Sequence, residues 1–485
     1  MKTPCPLLSR AAIATLSLGV AACAPLGGAS RPTPGVAASA PAAWQAPLPA
    51  ESSAATSAPV PGRHGWWTRF DDPLLPPLIE AAVAASPTLA SAASRIEQAR
   101  AAQVAAAAGL MPQVDAAASL ARGRSDPAAP VASLGTAGVR AAWEIDLFGA
   151  AGAARDAASA RLAASEAAAA AARVALAAEV GTLYTALRAC EAQVANAQAD
   201  ADSRTATARV TEDGARAGLI APATAALSRA SAAQARAQLT AQRSACDSQV
   251  KALVALTARP EAALRETLAT RRGLVPTAPS VVPASVPASA LAQRADLHEA
   301  ARQVEAAAAD ERSAQARQLP RIALAGSVGA ASLRTGGVSL DGTTWSIGPL
   351  QVTLPVFDAG TRAAQVTAAR AAYDEAVAAY AARLRQAVRE VEDALLALAS
   401  TAAREADARV AVEGFEASFR ATDARFKGGL ASAFELEDAR RSAVAAASAL
   451  VELRRERTTA WINLYRALGG DPDGAPAPAA AAPGR

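Results

Sequence analysis

The sequence predicts a mainly α-helical protein with a membrane β portion, built from one unit repeated twice. Three observations carry this reading. Residue patterns recur at a nearly constant offset: Met111-Pro112-Gln113-Val114 returns as Leu319-Pro320-Arg321-Ile322 after 208 residues, Phe148 as Phe357 after 209, and Gly218-Leu219 as Gly429-Leu430 after 211. Two stretches free of proline, 149–218 and 361–428, are rich in alanine, the residue with the highest helix propensity. Before each of them, apolar and polar residues alternate with the period of a strand. The offset implies a duplication of about 200 residues per copy.

The chain opens with Lys2 and Arg10 ahead of the apolar run Ala11–Ala22, too short for a mature membrane helix, so residues 1–22 read as a signal peptide. Val20-Ala21-Ala22-Cys23 resembles a lipobox, which makes Cys23 the expected site of a covalent lipid; an ordinary signal peptide with a chance cysteine is the alternative. Residues 23–62, rich in Pro, Ala, Ser and Gly, read as a flexible tether. Losing Lys2 and Arg10 lowers the formal charge from +4 to +2, and no Lys/Arg block stands out, so no nucleic-acid partner is expected.

The first repeat spans 63–270. It holds a helix over about 75–109, a β-hairpin over 113–147 and a helical hairpin over 149–257. A Pro-rich linker, 271–288, separates it from the second repeat, 289–470, with a helix over 289–318, a β-hairpin over 321–357 and a helical hairpin over 361–468; 471–485 is a disordered tail. Strands follow from Ala137, Val139, Ala141, Trp143, Ile145 and Leu147 in one copy, and from Leu350, Val352, Leu354 and Val356 in the other. Asp126-Pro127, Gly336-Gly337 and Asp341-Gly342 mark the loops. Each long helix is expected to run ~100 Å, and Tyr373, Val377, Tyr380, Leu384, Val388, Val391, Leu395 and Leu398 form a coiled-coil seam along the second. Pro222 suits the first turn of one returning helix, and Ser432-Ala433-Phe434-Glu435 fits a capping box for the other.

Two hairpins cannot span a membrane alone, because lipid leaves open strand edges unsatisfied. Three copies supply twelve strands, enough for a closed barrel, with the helices forming an α-helical tunnel beneath it and the Gly-Leu bends at its far end.

Trp66-Trp67-x-x-Phe70-x-Asp72-Pro73-x-Leu75, Trp143-Glu144-Ile145-Asp146-Leu147-Phe148-Gly149 and Leu464-Tyr465-Arg466-Ala467-Leu468-Gly469-Gly470 resemble signatures of the outer-membrane efflux factor family, the TolC-like channels in their NodT-type lipoprotein branch. The resemblance covers about residues 63–470. It implies a homotrimer in the outer membrane, lipid-anchored with a periplasmic extension, that meets a periplasmic adaptor and an inner-membrane pump of the resistance-nodulation-division type. Ala24 after the cysteine agrees with outer rather than inner membrane.

On this reading the tips Gly218, Leu219, Gly429 and Leu430 receive the adaptor, beyond the capping role that glycine plays at any helix end. Glu416, Phe419, Asp423 and Phe426 share a helix face near the second tip, and Asp423 corresponds to Glu212 at the 211 offset. Carboxylates at a helix C-terminus oppose its dipole, so Asp423 above all, with Phe419, Glu416 and Glu212, is a candidate for an acidic aperture; ion pairing with Arg420, Arg425 or Lys427 is the plainer reading. Cys190 and Cys246 lie 28 residues either side of Gly218, at equal heights in a hairpin, which allows a disulfide as well as two buried thiols. Only His64 and His298 are present and neither adjoins a cysteine, so no metal, cofactor or catalytic constellation is expected. The function so implied is a passive trimeric duct for small molecules. The alternatives are a periplasmic adaptor lipoprotein, which would carry one hairpin rather than a duplicated unit, and a pore-less coiled coil, which leaves the strands unexplained.

Overall fold

The structure, a computed structural model, describes residues 41–47, 67, 70–124, 126–128, 130–277 and 290–470. The signal peptide, Cys23, His64 and the tail from 471 lie outside the described residues. In chain order the elements are α1 (Leu75–Ala85), α2 (Pro87–Ala108), β1 (Gln113–Gly123), β2 (Ala132–Ile145), α3 (Ala150–Arg216), α4 (Pro222–Thr257), α5 (Glu261–Ala269), α6 (Ala295–Ala316), β3 (Arg321–Thr335), β4 (Val338–Thr353), α7 (Thr361–Lys427) and α8 (Ala433–Ala467). The two long helices, α3 and α7, have 67 residues each. Among the described residues, contacts divide the chain into two compact units, one within 96–165 and 300–380, the other within 41–95, 166–299 and 381–470.

The first unit contains a four-stranded antiparallel sheet in the order β1-β2-β3-β4, so the two hairpins join through β2 and β3. Its register sorts the side chains by face. One face presents Val114 and Leu120, then Val139 and Trp143, then Ile322, Leu324 and Val328, then Trp345, Ile347, Leu350 and Val352. Most of these large apolar groups are exposed. The opposite face carries Asp115, Arg140, Ser327 and Ser346 in one row, with Ser119 and Thr136 hydrogen-bonded at 2.7 Å and Ser327 and Ser346 at 2.9 Å. A bulge keeps β4 in step. Gly326 pairs with Ile347 but Leu324 with Leu350, so β4 spends one extra residue and returns Leu350 and Val352 to the face of Trp345 and Ile347. At the β2–β3 seam, Gly138 opposes Gly329. A Cβ on Gly329 would lie 2.5 Å from the Ala137 carbonyl oxygen, so only glycine fits.

Each strand-to-helix junction is fixed by an aspartate at the N-terminus of a long helix, where unpaired N–H groups favour an anion. Asp146 accepts from the Ala151 N–H (3.0 Å) and the Gly152 N–H (2.6 Å). Asp358 accepts from the Gly360 N–H (3.0 Å) and the Arg362 N–H (3.1 Å). Trp143 donates its indole N–H to the Leu110 carbonyl at 3.0 Å. The Trp-Glu-Ile-Asp-Leu-Phe-Gly motif is thus a turn from strand into helix.

The second unit holds the main core, in which Phe70, Leu75, Leu78, Ile79, Tyr184, Leu187, Leu253, Leu264, Trp461 and Ile462 are buried. Aromatic rings pack within it: Trp461 lies 5.8 Å edge-on to Phe70 and 4.1 Å from Tyr465, measured between ring centroids. Two buried arginines close helix C-termini against it. Arg188 donates to the Leu268 carbonyl at the end of α5 (2.9 Å), and Arg294 donates to the Ala467 carbonyl at the end of α8 (2.7 Å). The Leu-Gly-Gly motif that follows α8 exists for close approach. A Cβ on Gly469 would sit 2.9 Å from the Gln293 carbonyl oxygen, and one on Gly470 2.7 Å from Val174.

Several expectations are corrected. The first helix is not continuous over 75–109: Pro87 has no N–H to give and bars the helical conformation before it, so Ser86 turns extended (ψ 116°) and its Oγ accepts from the Leu89 N–H instead. Asp341-Gly342 is strand, paired with Ser332 and Ala331, because Gly336 and Gly337 (φ 58° and 86°) already supply the two left-handed residues a tight hairpin turn needs. β4 stops at Thr353, before Leu354 and Val356. Within the stretch read as a tether, residues 41–47 are held. The Gln45 and Ala46 N–H groups both donate to the Glu392 carboxylate, at 2.8 and 2.7 Å, and Trp44 packs on Leu291 and its neighbours.

Candidate functional site

Both bends end their helices in one way. Gly218 (φ 75°) donates to the Ala215 carbonyl at 3.0 Å and Leu219 to the Gly214 carbonyl at 2.8 Å. Gly429 (φ 74°) donates to the Phe426 carbonyl at 3.0 Å and Leu430 to the Arg425 carbonyl at 2.8 Å. This pair of reverse bonds is the Schellman motif, whose left-handed residue is best supplied by glycine. At the first tip Ile220 folds over Gly214, where a Cβ would lie 2.7 Å from its Cδ1. The leucines are left outside, Leu219 82% exposed and Leu430 73% exposed. Past the first bend, Pro222 enters the opening turn of α4. Past the second, Ser432 Oγ accepts from the Glu435 N–H (3.2 Å) while the Glu435 carboxylate accepts from the Ser432 N–H (2.7 Å), a complete capping box.

Behind the second tip, Asp423 accepts from Lys427 Nζ at 2.6 Å, one helical turn away. Phe419 and Glu416 line a recess of about 330 Å³ with Asn196, Asp200, Arg420 and Arg440. Glu212 faces Arg229 at 3.9 Å across the first hairpin. The structure therefore gathers Glu416 and Phe419 into one recess, and gives Asp423 and Glu212 each a cationic partner.

A polar cluster beneath that recess escaped the sequence reading. Arg440, buried under the Phe419 ring at 5.4 Å, pairs with Glu437 and donates to Thr207 Oγ1 at 3.0 Å. Glu437 also meets Arg204 at 3.2 Å and accepts from Ser231 Oγ at 3.0 Å, while Arg204 pairs with Asp200 at 2.9 Å. The cluster thereby ties α3, α4, α7 and α8 together. Burial pulls the Arg440 pKa down, against the carboxylates around it. In the first repeat the corresponding Arg229 is exposed. Only the doublet Arg440-Arg441 hinted at the difference.

Cys190 and Cys246 are joined by a disulfide between α3 and α4, with Cα atoms 5.7 Å apart. The equivalent height of the second hairpin has Thr401 and Arg457, and there ion pairs replace the covalent link: Arg457 with Glu405, and Arg404 with Glu456 at 2.8 Å. No metal-holding group of His, Cys, Asp and Glu occurs among the described residues, and His298 Nε2 sits 2.7 Å from the Ala292 carbonyl oxygen.

The sequence matches the profile of the family described as "Outer membrane efflux protein" over residues 78–259 and 286–470. Outer membrane protein OprJ of Pseudomonas aeruginosa is 34% identical over 185 residues, a match covering 38% of each chain. The solvent efflux pump outer membrane protein SrpC of Pseudomonas putida is 29% identical over 408 residues, covering 83% of this chain and 86% of that one. The fold is that of the outer-membrane channel OprN, with a TM-score of 0.78 and 25% identity over 84% of this chain and 92% of that one. These findings bear out the resemblance read from the motifs and set aside the adaptor alternative. The chain belongs to the outer membrane efflux protein family, whose members are passive outer-membrane channels rather than enzymes.

Proposed function

We propose that three copies of this chain close a twelve-stranded barrel in the outer membrane and continue as a periplasmic α-helical tunnel, a passive duct for small molecules. The observation that carries this reading is the sheet. One face is apolar and the other is polar over its central rows, with Leu134, Leu333 and Leu340 near the loops, while β1 and β4 each have one strand neighbour among the described residues, and lipid tolerates no such open edge. Pairing β1 of one copy with β4 of the next satisfies both edges, places the Asp115–Arg140 face in the water-filled interior and turns Val114, Leu120, Val328, Trp345, Ile347 and Leu350 to lipid.

The exposed Leu219 and Leu430, each offered by a rigid glycine cap, support docking of a periplasmic adaptor at the tips, with an inner-membrane pump of the resistance-nodulation-division type supplying the energy. Asp423, Phe419, Glu416 and Glu212 line the aperture behind those tips in this reading. A lipid on Cys23 anchors the chain. Sedimentation equilibrium of the detergent-solubilised protein should give a trimer mass and planar bilayers should show discrete conductance steps. A monomer would sink the proposal, since four strands cannot close.

A further inference from the structure

The apolar face of the sheet ends in a basic row. Arg122 of β1 pairs with Ser133 of β2, Ser133 with Arg334 of β3, and Arg334 with Ser339 of β4, so the four residues stand side by side across the sheet on the face that carries Leu120 and Val328. The row lies at the loop end of both hairpins. Both arginines are exposed, and neither makes an ion pair or hydrogen bond among the described residues. One acid shares this face of the sheet, Asp341, a row nearer the centre; it lies 3.4 Å from Ser339 Oγ and pairs with neither arginine. The charge of the row is therefore uncompensated, and hydroxyls alternate with the guanidinium groups.

The depth of the row fits a headgroup. From Ile322 to Ala330, the apolar stretch of β3, is eight residues, or ~27 Å along the strand at ~3.4 Å each, and ~21 Å of height at a tilt of about 40°. Arg334 is four residues further, ~10 Å higher, just beyond an apolar band about 25 Å tall. An arginine at that level keeps its stem against acyl chains and its guanidinium in the polar layer. Guanidinium forks and hydroxyls together match phosphate oxygens bidentately.

We infer that the Arg122–Ser133–Arg334–Ser339 row is a binding site for the phosphorylated headgroup of an outer-leaflet glycolipid. The site rests on the barrel reading above: it occurs once per copy, six arginines around a trimer, and fastens the upper rim of the barrel to the leaflet.

The test uses the full-length trimer in detergent with equal amounts of bisphosphoryl lipid A and chemically dephosphorylated lipid A, bound lipid being counted by native mass spectrometry. The wild type should prefer the phosphorylated form by about thirtyfold, the contribution of two arginines near an anionic surface. The Arg122→Gln/Arg334→Gln variant should lose that preference. Arg122→Lys/Arg334→Lys should keep much of it, and Arg124→Gln, whose arginine is held by the Pro127 carbonyl at 3.1 Å, should keep all of it. Equal retention of both glycolipids by the wild type, or a preference that survives in the double Gln variant, overturns the inference. Conductance of the same preparations separates the two readings: channels that conduct without lipid preference refute only the lipid site, whereas a wild type that never conducts refutes the barrel.

Discussion

Reducing the Cys190–Cys246 disulfide should loosen the first helical hairpin and leave the second unchanged. The bond closes a 56-residue separation. In the chain-entropy account, opening such a loop removes about 4 kcal/mol from the stability of the segment it encloses. Where amides of α3 and α4 between the cysteines exchange by unfolding of the hairpin, their protection should fall by up to about 10³-fold, each factor of ten being about 1.4 kcal/mol. The second hairpin provides the internal control, because the Arg457–Glu405 and Arg404–Glu456 pairs at the same height do not respond to reductant. Hydrogen exchange followed by mass spectrometry, on oxidised protein and on the Cys190→Ser/Cys246→Ser variant, reads both hairpins at once. A non-reducing mass two hydrogens below the dithiol, together with unchanged protection of residues 191–245 in the variant, would refute the reasoning.

Gly329→Ala should lower the heat resistance of the assembled protein by about 1–3 kcal/mol per copy, since the added Cβ meets the backbone of β2; Gly342→Ala, where nothing lies within 4 Å, should not. Trimer melting on semi-native gels compares them. Leu219→Ala and Leu430→Ala should each change stability by less than about 0.5 kcal/mol while weakening adaptor binding roughly tenfold in a surface-plasmon assay. The Asp358 carboxyl is held below the usual carboxylate range, first by the Arg362 N–H and then by the Gly360 N–H and the Arg362 guanidinium, over a smaller opposing effect of burial. A depressed folded pKa stabilises above the unfolded value of about 4 and is lost as pH falls through the folded one. Asp358→Ala should therefore melt below the wild type at pH 7, and the gap should narrow toward pH 3.

Where residues act through their neighbours in sequence, the reading matched what the fold contains. The period-two runs around Val139 and Trp143, the proline-free runs that became α3 and α7, and the box at Ser432 and Glu435 are all local signals. What was missed depends on partners far along the chain. Arg440, Glu437 and Arg204 look like an ordinary charged helix face until α3 and α8 are brought together. The same holds for Glu392, whose two backbone partners come from residues 45 and 46. The basic row is non-local in another way: Arg122 and Arg334 are unremarkable in sequence, and become neighbours of Ser133 only through the register of β1, β2 and β3. The stop at Ser86 was visible as Pro87, but the alanine-rich pattern around it outweighed a single residue.

The extra residue in β4 has a consequence for how this strand tolerates change. It works as a phase corrector between two halves that would otherwise be in antiphase: Trp345 and Ile347 are odd-numbered, Leu350 and Val352 even-numbered, yet all four share a face. Counting parity along β4 without it assigns one half to the wrong solvent. Deleting Pro349 would take out the extra residue itself and leave all four side chains on one face in an unbroken two-residue period, whereas deleting a paired residue such as Ser346 would shift one half of the strand by one and turn its large apolar side chains to the opposite face. Point substitutions in β4 are thus matters of degree, whereas deleting a residue that is paired in register is an error of sign.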